Sequence, residues 1–363
     1  MKQNTQDKKY YSIECLRFVF AICIIYFHLL HSFIMPYTDG SAVYKTLAVD
    51  ARYMKYIVEC FFIISGYFLY QSIQRHPDRS FREFVRAKIA RLWPVLACSI
   101  CISMVLGKKS FTTSFLNLFF LQSSGIVSDW SGLNWYVSAF FIAEVFYFVL
   151  YKCFHNSAVM KLMILLLVCG GYAVNLFFMS GGFGRKMVYG VLNLGLARGI
   201  AGVGWGYMLG IMFEFLKNMY RKLPEKEICS KIAELGISLI EISVALMLAV
   251  NFFYSKEAFR NQIIVVVLFT ALFICFLTRR GILSLLMDHP FWGILGKYTY
   301  SMYVMQETAF VILQHTFWRN TIYIQMHPII AIMLSIISAT ILGITAYYLI
   351  ERPGAAVMKK VLF

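Results

Sequence analysis

The chain has 363 residues, of which 60% are hydrophobic and only 14% are charged, and its mean hydropathy is +0.68. Soluble domains carry about 25% charged residues, so this composition argues against a soluble globular protein and predicts an all-α, polytopic bundle of membrane helices. The net charge of +16 would suggest nucleic acid as a partner of a soluble protein, but here the basic residues lie in short loops between apolar segments, which indicates the lipid bilayer instead.

The first apolar segment, 13–34, follows Lys2, Lys8 and Lys9. A basic stretch before an apolar run can also begin a signal peptide. This run is long enough to span a bilayer, however, and no small-residue cleavage site follows it. We therefore predict a first membrane helix that is retained.

Later apolar segments predict nine further spans, for about ten in all, since a span needs roughly 20 apolar residues. They are 56–73, 92–106, 133–151, 160–179, 196–216, 233–253, 262–278, 291–313 and 328–349. The stretch 111–121 is too short to span and suggests an interfacial or re-entrant piece, and 186–195 is ambiguous in the same way. No long polar stretch remains, so residues 1–363 are expected to form one membrane-embedded domain without an appended soluble domain.

The loops predict the orientation of the chain. With the N-terminus inside, the inner loops contain about twice as many Lys and Arg residues as the outer loops. This bias predicts that both termini lie in the cytoplasm, together with the loops 74–91, 217–232 and 279–290, and that the number of spans is even.

Metal ligands and paired cysteines are not evident in the sequence. The nine cysteines are scattered, mostly within apolar segments, where buried Cys usually behaves as a small hydrophobic residue. His28 and His31 have no obvious third ligand. We predict neither a metal site nor a permanently bound cofactor.

The first span contains ionisable residues, which are costly in a membrane and often functional. Arg17 and His28 are 11 residues apart, so on a helix they lie within about 20° of one face and about 16 Å apart along the axis. Glu14 is one turn from Arg17 and can pair with it. A neutral imidazole at this depth could be a general base, and the cation could meet a phosphate. A satisfied core His and an Arg that reaches the membrane surface would also explain the pattern.

The segment "QRHPDRSFREFVRAKIARLWP" is the densest basic stretch. Lys88 and Arg91 are three residues apart and share a helical face, and Arg86 lies close by in sequence. One interpretation is an anion site for a phosphorylated cytosolic ligand. The other is a positively charged anchor at the inner membrane surface.

Polar residues in later spans suggest a cavity or a close helix contact. Glu59 could bind a sugar hydroxyl or simply meet water, and the Ser65–Gly66 pair allows either close approach of another helix or local unwinding. The glycine-rich segment after Arg198 predicts tight packing. The ninth span places polar side chains close together: Tyr300, Ser301, Tyr303, Gln306 and Glu307.

Seven of these segments, taken in order, resemble the acyltransferase 3 family of bacterial integral membrane acyltransferases, many of which O-acetylate cell-surface saccharides. They are "ECLRFVFAICIIYFH", "VECFFIISGYF", "KIARLWP", "LNWYVSAFFIAEVFY", "ARGIAGVGWGYMLG", "YSMYVMQ" and "AYYLIERP". The first resembles the family's Arg-x10-His pattern, and the fourth adds Trp135 to the candidate cavity residues.

The resemblance implies a ten-helix membrane fold and acyl transfer from cytosolic acyl-CoA to a hydroxyl. It implies that His28 is catalytic with Arg17 as its motif partner, and that Lys88 and Arg91, with Arg86 beside them, contact the donor phosphates. Relatives often have a His where this chain has Gln306, which cannot titrate, so a proton-transfer role at that position is in question.

The leading hypothesis is therefore an acyl-CoA-dependent O-acyltransferase, with acetyl as the expected group and a cell-surface polysaccharide or lipid-linked saccharide as acceptor. The alternative is a secondary transporter or flippase for a polar lipid-linked substrate, which would also place ionisable groups in the membrane. Transporters often contain inverted repeats, and no internal repeat is visible here. A purely structural partner would explain neither the polar ninth span nor Arg17 and His28.

Overall fold

The computed structural model of the protein describes residues 10–38, 41–106, 111–124, 133–179, 184–190, 192–220, 227–253 and 263–362. These parts are almost entirely helical, as the composition predicts. Their β structure is one two-residue antiparallel hairpin, formed by β1 (Met187–Val188) and β2 (Leu192–Asn193).

The described part of the chain contains sixteen α-helices. In chain order they are α1 (Tyr11–His28), α2 (Ala42–Ala51), α3 (Ile57–Arg75), α4 (Phe81–Val105), α5 (Phe111–Leu118), α6 (Trp135–Phe154), α7 (Ala158–Phe178), α8 (Leu194–Tyr220), α9 (Glu227–Phe253), α10 (Ile263–Thr278), α11 (Ile282–Met287), α12 (Pro290–Leu295), α13 (Thr299–His315), α14 (Thr321–Met326), α15 (Pro328–Ala346) and α16 (Arg352–Leu362). Two of them are extended by π-helical turns, α1 by Leu29–Phe33 and α15 by Tyr347–Glu351.

Eight helical segments in the described part of the chain are long and apolar enough to cross a membrane. The eighth and ninth predicted spans correspond to α10 and α13, which have 16 and 17 residues. The protein is therefore a polytopic helical membrane protein.

The ninth predicted span, 291–313, is interrupted. α12 ends in a 3₁₀ turn at Gly296–Tyr298, and α13 begins after it. The turn packs against the first helix so closely that a Cβ on Gly296 would lie 2.1 Å from a carboxylate oxygen of Glu14. Only glycine allows this approach, which brings the start of α13 beside the start of α1.

The third span begins earlier than its apolar residues indicate, because α4 starts at Phe81 rather than near residue 92. Ser80 and Glu83 form a capping box, in which each side chain accepts a hydrogen bond from the other's backbone N–H. Such a box supplies partners for N–H groups that a helix start leaves free. Most of the basic segment is thus the first turns of a helix, with Lys88 and Arg91 on one face.

The two ambiguous stretches form small elements. In 111–121, α5 packs on α4, where Trp93 Nε1 donates to the backbone oxygen of Leu118 at 3.1 Å. The stretch 186–195 contains the β1–β2 hairpin and the start of α8. The expectation that 111–121 would be a short non-spanning piece agrees with this structure.

The helices around the centre of the molecule form two groups. In the first, which we call the α8 group, α3, α6 and α7 pack on α8. In the second, the α13 group, α1, α4 and α15 pack on α13. The α3–α8 contact is very close, since a Cβ on Gly66 would lie 1.9 Å from the backbone oxygen of Val203. The close helix approach predicted from Ser65–Gly66 is therefore confirmed.

Candidate active site

A cavity of about 460 Å³ lies between the α8 group and the α13 group. Its walls come from α3 and α6 on one side and from α1, α4 and α13 on the other. This volume is in the usual range for small-molecule sites, roughly 300–1,000 Å³. The cavity lies towards the end of the bundle at which α1 begins, which we call the N-terminal face.

Positive side chains from three helices meet in this cavity: Arg17 from α1, Arg75 at the end of α3, and Lys88 and Arg91 from α4. His76 adds an imidazole beside Arg75. Arg75, His76 and Arg91 are exposed, whereas Arg17 and Lys88 lie deeper. The arrangement suits an anionic ligand that enters from the N-terminal face.

Arg17 is held in place by two neighbours. One terminal nitrogen is 3.0 Å from Glu14 Oε2, which confirms the pair predicted from their spacing. The other donates to Thr299 Oγ1 at 3.4 Å. These contacts fix the guanidinium at the wall of the cavity, where α1 meets the start of α13.

Lys88 has a buried counter-ion in Glu144 of α6. Its ammonium nitrogen is 2.6 Å from Glu144 Oε2. The rings of Phe84 and Phe140 lie 5.6 and 5.4 Å from the same nitrogen. The ion pair joins the two helix groups across the cavity.

The inner end of the cavity is neutral and aromatic. Ser65, Tyr136 and Tyr303 line it, and the centroids of the two tyrosine rings are 5.5 Å apart. The Tyr303 hydroxyl donates to the backbone oxygen of Leu133. Charge is therefore concentrated towards the N-terminal face, and the deeper walls suit an uncharged part of a ligand.

His28 lies beyond this cavity rather than in its lining. The ring is 8% exposed, and its Nδ1 atom makes no hydrogen bond. The α-helix ends at His28 and continues as a π-helical turn, a local change that is common at functional sites.

The family of the protein follows from a comparison of its sequence with known protein families. The family model described as an acyltransferase domain, that of the acyltransferase 3 family, matches residues 10–348. The chain belongs to this family. No curated protein and no solved structure matches the chain. Membership makes the protein a membrane acyltransferase, and the matched range contains every candidate site residue named above.

Several predicted site residues of this acyltransferase lie away from the cavity. Glu59 is fully buried and forms an ion pair of 2.6 Å with Arg198, and the Arg198 guanidinium lies 5.0 Å from the Trp135 ring centroid. Ser301 donates to Glu351 of the π-helical turn after α15. These contacts fix helices to one another.

Gln306 and Arg86 are also outside the cavity lining. Gln306 is buried, and its amide donates to the backbone oxygen of Tyr303 at 2.8 Å. Arg86 is two residues before Lys88, about 200° around the helix, which directs it to another face of α4. The structure thus brings together Arg17, Lys88 and Arg91 but not Arg86.

Sequence reasoning missed several residues of the site. Glu144 is a carboxylate within an apolar segment, and the rule that marked Arg17 as functional would also have marked Glu144. Arg75 and His76 lie in the basic segment, but their place at the cavity depends on the turn between α3 and α4. Tyr136 and Thr299 carry no sequence signal that separates them from ordinary packing residues.

Proposed function

We propose that this membrane acyltransferase transfers an acyl group, with acetyl as the leading candidate, from acyl-CoA to a hydroxyl of a cell-surface polysaccharide or lipid-linked saccharide. The observation that carries the donor part is the meeting of Arg17, Lys88 and Arg91 in one cavity. Three cations around a single cavity suit the phosphates of CoA, because charge-assisted contacts to phosphate are among the strongest hydrogen bonds in proteins.

The shape of the site supports the same donor. An extended chain between the phosphates and the thioester would run from the charged end towards Ser65, Tyr136 and Tyr303. His28 lies about 16 Å further along α1 than Arg17. That separation suits a donor whose phosphates and reacting carbonyl are far apart.

His28 is the proposed general base. Its imidazole takes the proton of the acceptor hydroxyl as that oxygen attacks the thioester carbonyl. The new C–O bond forms, the C–S bond breaks, and the imidazolium gives its proton to the leaving CoA sulfur, which restores the neutral imidazole. A positioned base of this kind typically contributes about 10²–10⁴ in rate.

The orientation of the protein follows from the charge bias of its loops. We propose that the N-terminal face is the cytoplasmic face of the bacterial cell membrane, which carries the positive loops and gives the cavity access to acyl-CoA. The acceptor then reaches His28 from the membrane or from the opposite side. The saccharide class of the acceptor rests on the resemblance described above.

The experiment combines purified protein with cells. Purified protein in detergent is mixed with acetyl-CoA and surface polysaccharide from a strain that lacks the gene, and released CoA and alkali-labile acetate are measured. Wild type should release CoA and add an equal amount of alkali-labile acetate to the polysaccharide. The strain is derived from cells whose surface polysaccharide normally carries acetate. If no CoA is released with this acceptor, the result contradicts the proposal and favours a transport role.

A further inference from the structure

The Lys88–Glu144 pair lies where the proposed donor phosphates would bind. Both residues line the cavity, and the Lys88 side chain is 22% exposed, whereas the Glu144 side chain is 3% exposed. A carboxylate this deeply buried in a membrane helix almost always has a charged or hydrogen-bonding partner nearby. Here that partner is the Lys88 ammonium, the same group that a ligand phosphate would bind.

The cations of the cavity therefore differ in whether a bound carboxylate must be displaced before a phosphate can bind them. Arg91 is an exposed residue of the cavity lining, so an entering phosphate can approach it directly. Lys88 is already bound to Glu144 at 2.6 Å. A phosphate that approaches Lys88 must pull the ammonium from a carboxylate and then remain close to that negative charge.

We infer that Glu144 is a positioning residue that limits the affinity of the cavity for CoA, because its carboxylate competes with the ligand phosphate for the Lys88 ammonium. When the acyl group has left, Glu144 takes Lys88 back and speeds the release of CoA. The inference rests on the proposed function, since it takes CoA as the ligand of this cavity.

The test measures CoA binding by isothermal titration calorimetry with the full-length protein in detergent. Glu144→Gln removes the competing charge and keeps the size of the side chain. It should lower the Kd for CoA about tenfold, the order expected when one partly buried like charge is removed. The KM for acyl-CoA and kcat should both fall, because CoA leaves more slowly.

Glu214→Gln is the matched control. Glu214 is an exposed residue of α8 that accepts a hydrogen bond from Tyr70 and is not in the cavity lining. Its variant should bind CoA as wild type does. This control separates the effect of Glu144 from a general change in charge.

The outcomes separate the two proposals. If wild type does not bind CoA, the proposed function fails and the inference fails with it. If wild type binds CoA and Glu144→Gln binds it equally or more weakly, the donor site stands and the role of Glu144 is overturned. If Glu144→Gln does not fold, Glu144→Asp decides the question. Asp keeps the negative charge but is one methylene shorter, so its carboxylate lies farther from the Lys88 ammonium. CoA should then bind roughly two to ten times more tightly than to wild type. Equal or weaker binding would overturn the inference.

Discussion

His28 ends an α-helix and precedes a π-helical turn, in a buried position with an unbonded Nδ1 atom. His28→Ala should lower kcat by about 10²–10⁴, since a general base acts in the transition state. CoA binding should remain, because the ring is outside the cavity. Turnover and CoA affinity, measured on the same purified protein, check this.

His31→Ala is the control for that substitution. His31 is exposed, its Nδ1 atom is 3.0 Å from the backbone oxygen of Phe27, and it lies in the π-helical turn that follows His28. Its variant should keep most of the activity. A His28→Ala protein with near wild-type turnover would mean that this histidine only packs.

Arg91 offers a second test at the residue scale. Arg91→Ala should raise the KM for acyl-CoA roughly tenfold to a hundredfold, the loss of one charge-assisted contact. Arg82→Ala removes a cation from the same helix that is not in the cavity lining and should leave the KM unchanged. Equal effects of the two variants would contradict a phosphate site and support a general surface charge.

Arg17 is held through two different nitrogens, by Glu14 and by Thr299. A lysine has no planar fork with which to make both contacts. Arg17→Lys should therefore keep the positive charge but raise the donor KM several-fold, by roughly the worth of one hydrogen bond. Steady-state kinetics on purified protein measure this, and full activity of the variant would show that only the charge matters.

Part of this site could be predicted from residue types and helical spacing. The pairing of Glu14 with Arg17 and the shared face of Lys88 and Arg91 depend only on local geometry, and both are present. The Glu59–Arg198 pair joins residues 139 positions apart. No local pattern predicts such a partner, because it depends on how α3 and α8 pack.

At the scale of elements, the α3–α8 contact depends on glycine. A Cβ on Gly66 would lie 1.9 Å from the backbone oxygen of Val203 and 2.9 Å from the backbone nitrogen of Tyr207. Backbone atoms cannot relieve such a clash by a change of rotamer. Gly66→Ala should separate the helices and destabilise the protein by about 1–3 kcal/mol. Thermal unfolding in detergent measures the loss.

Gly236→Ala in α9 is the matched control, because a Cβ there has no neighbour within 4 Å. It should leave stability unchanged or raise it by about 0.5–1 kcal/mol, as alanine favours a helix more than glycine does. Similar melting temperatures of the two variants would show that the α3–α8 contact has room for a methyl group at Gly66.

Helices were easier to predict than their ends. The apolar segments locate the spans, but the ninth is interrupted before α13 by a 3₁₀ turn. The turn packs closely against Glu14 of α1 at Gly296, a tertiary contact that apolar periodicity does not predict. Conversely, the sequence does indicate the early start of α4, because Ser80 and Glu83 have the spacing of a capping box. Apolar periodicity misses this start because the first turns of the helix are basic.

At the scale of the whole molecule, the orientation can be tested in cells. In a background without native cysteines, a cysteine introduced between residues 217 and 232 should resist an impermeant thiol reagent applied to intact cells. It should react after the cells are opened, because the positive loops are expected in the cytoplasm. A cysteine placed between residues 184 and 190 should react in intact cells. If the first site reacted in intact cells and the second did not, the membrane topology would be the opposite of the one proposed.

The cavity's position between the α8 group and the α13 group links ligand occupancy to unfolding. A molecule bound to both walls stabilises the folded protein by mass action, by about 2.7 kcal/mol at a ligand concentration of one hundred times Kd. The unfolding temperature should therefore rise with CoA concentration even in His28→Ala. Melting curves can thus rank candidate donors by how tightly they hold the two groups together, before any acceptor is known and without a catalytic turnover.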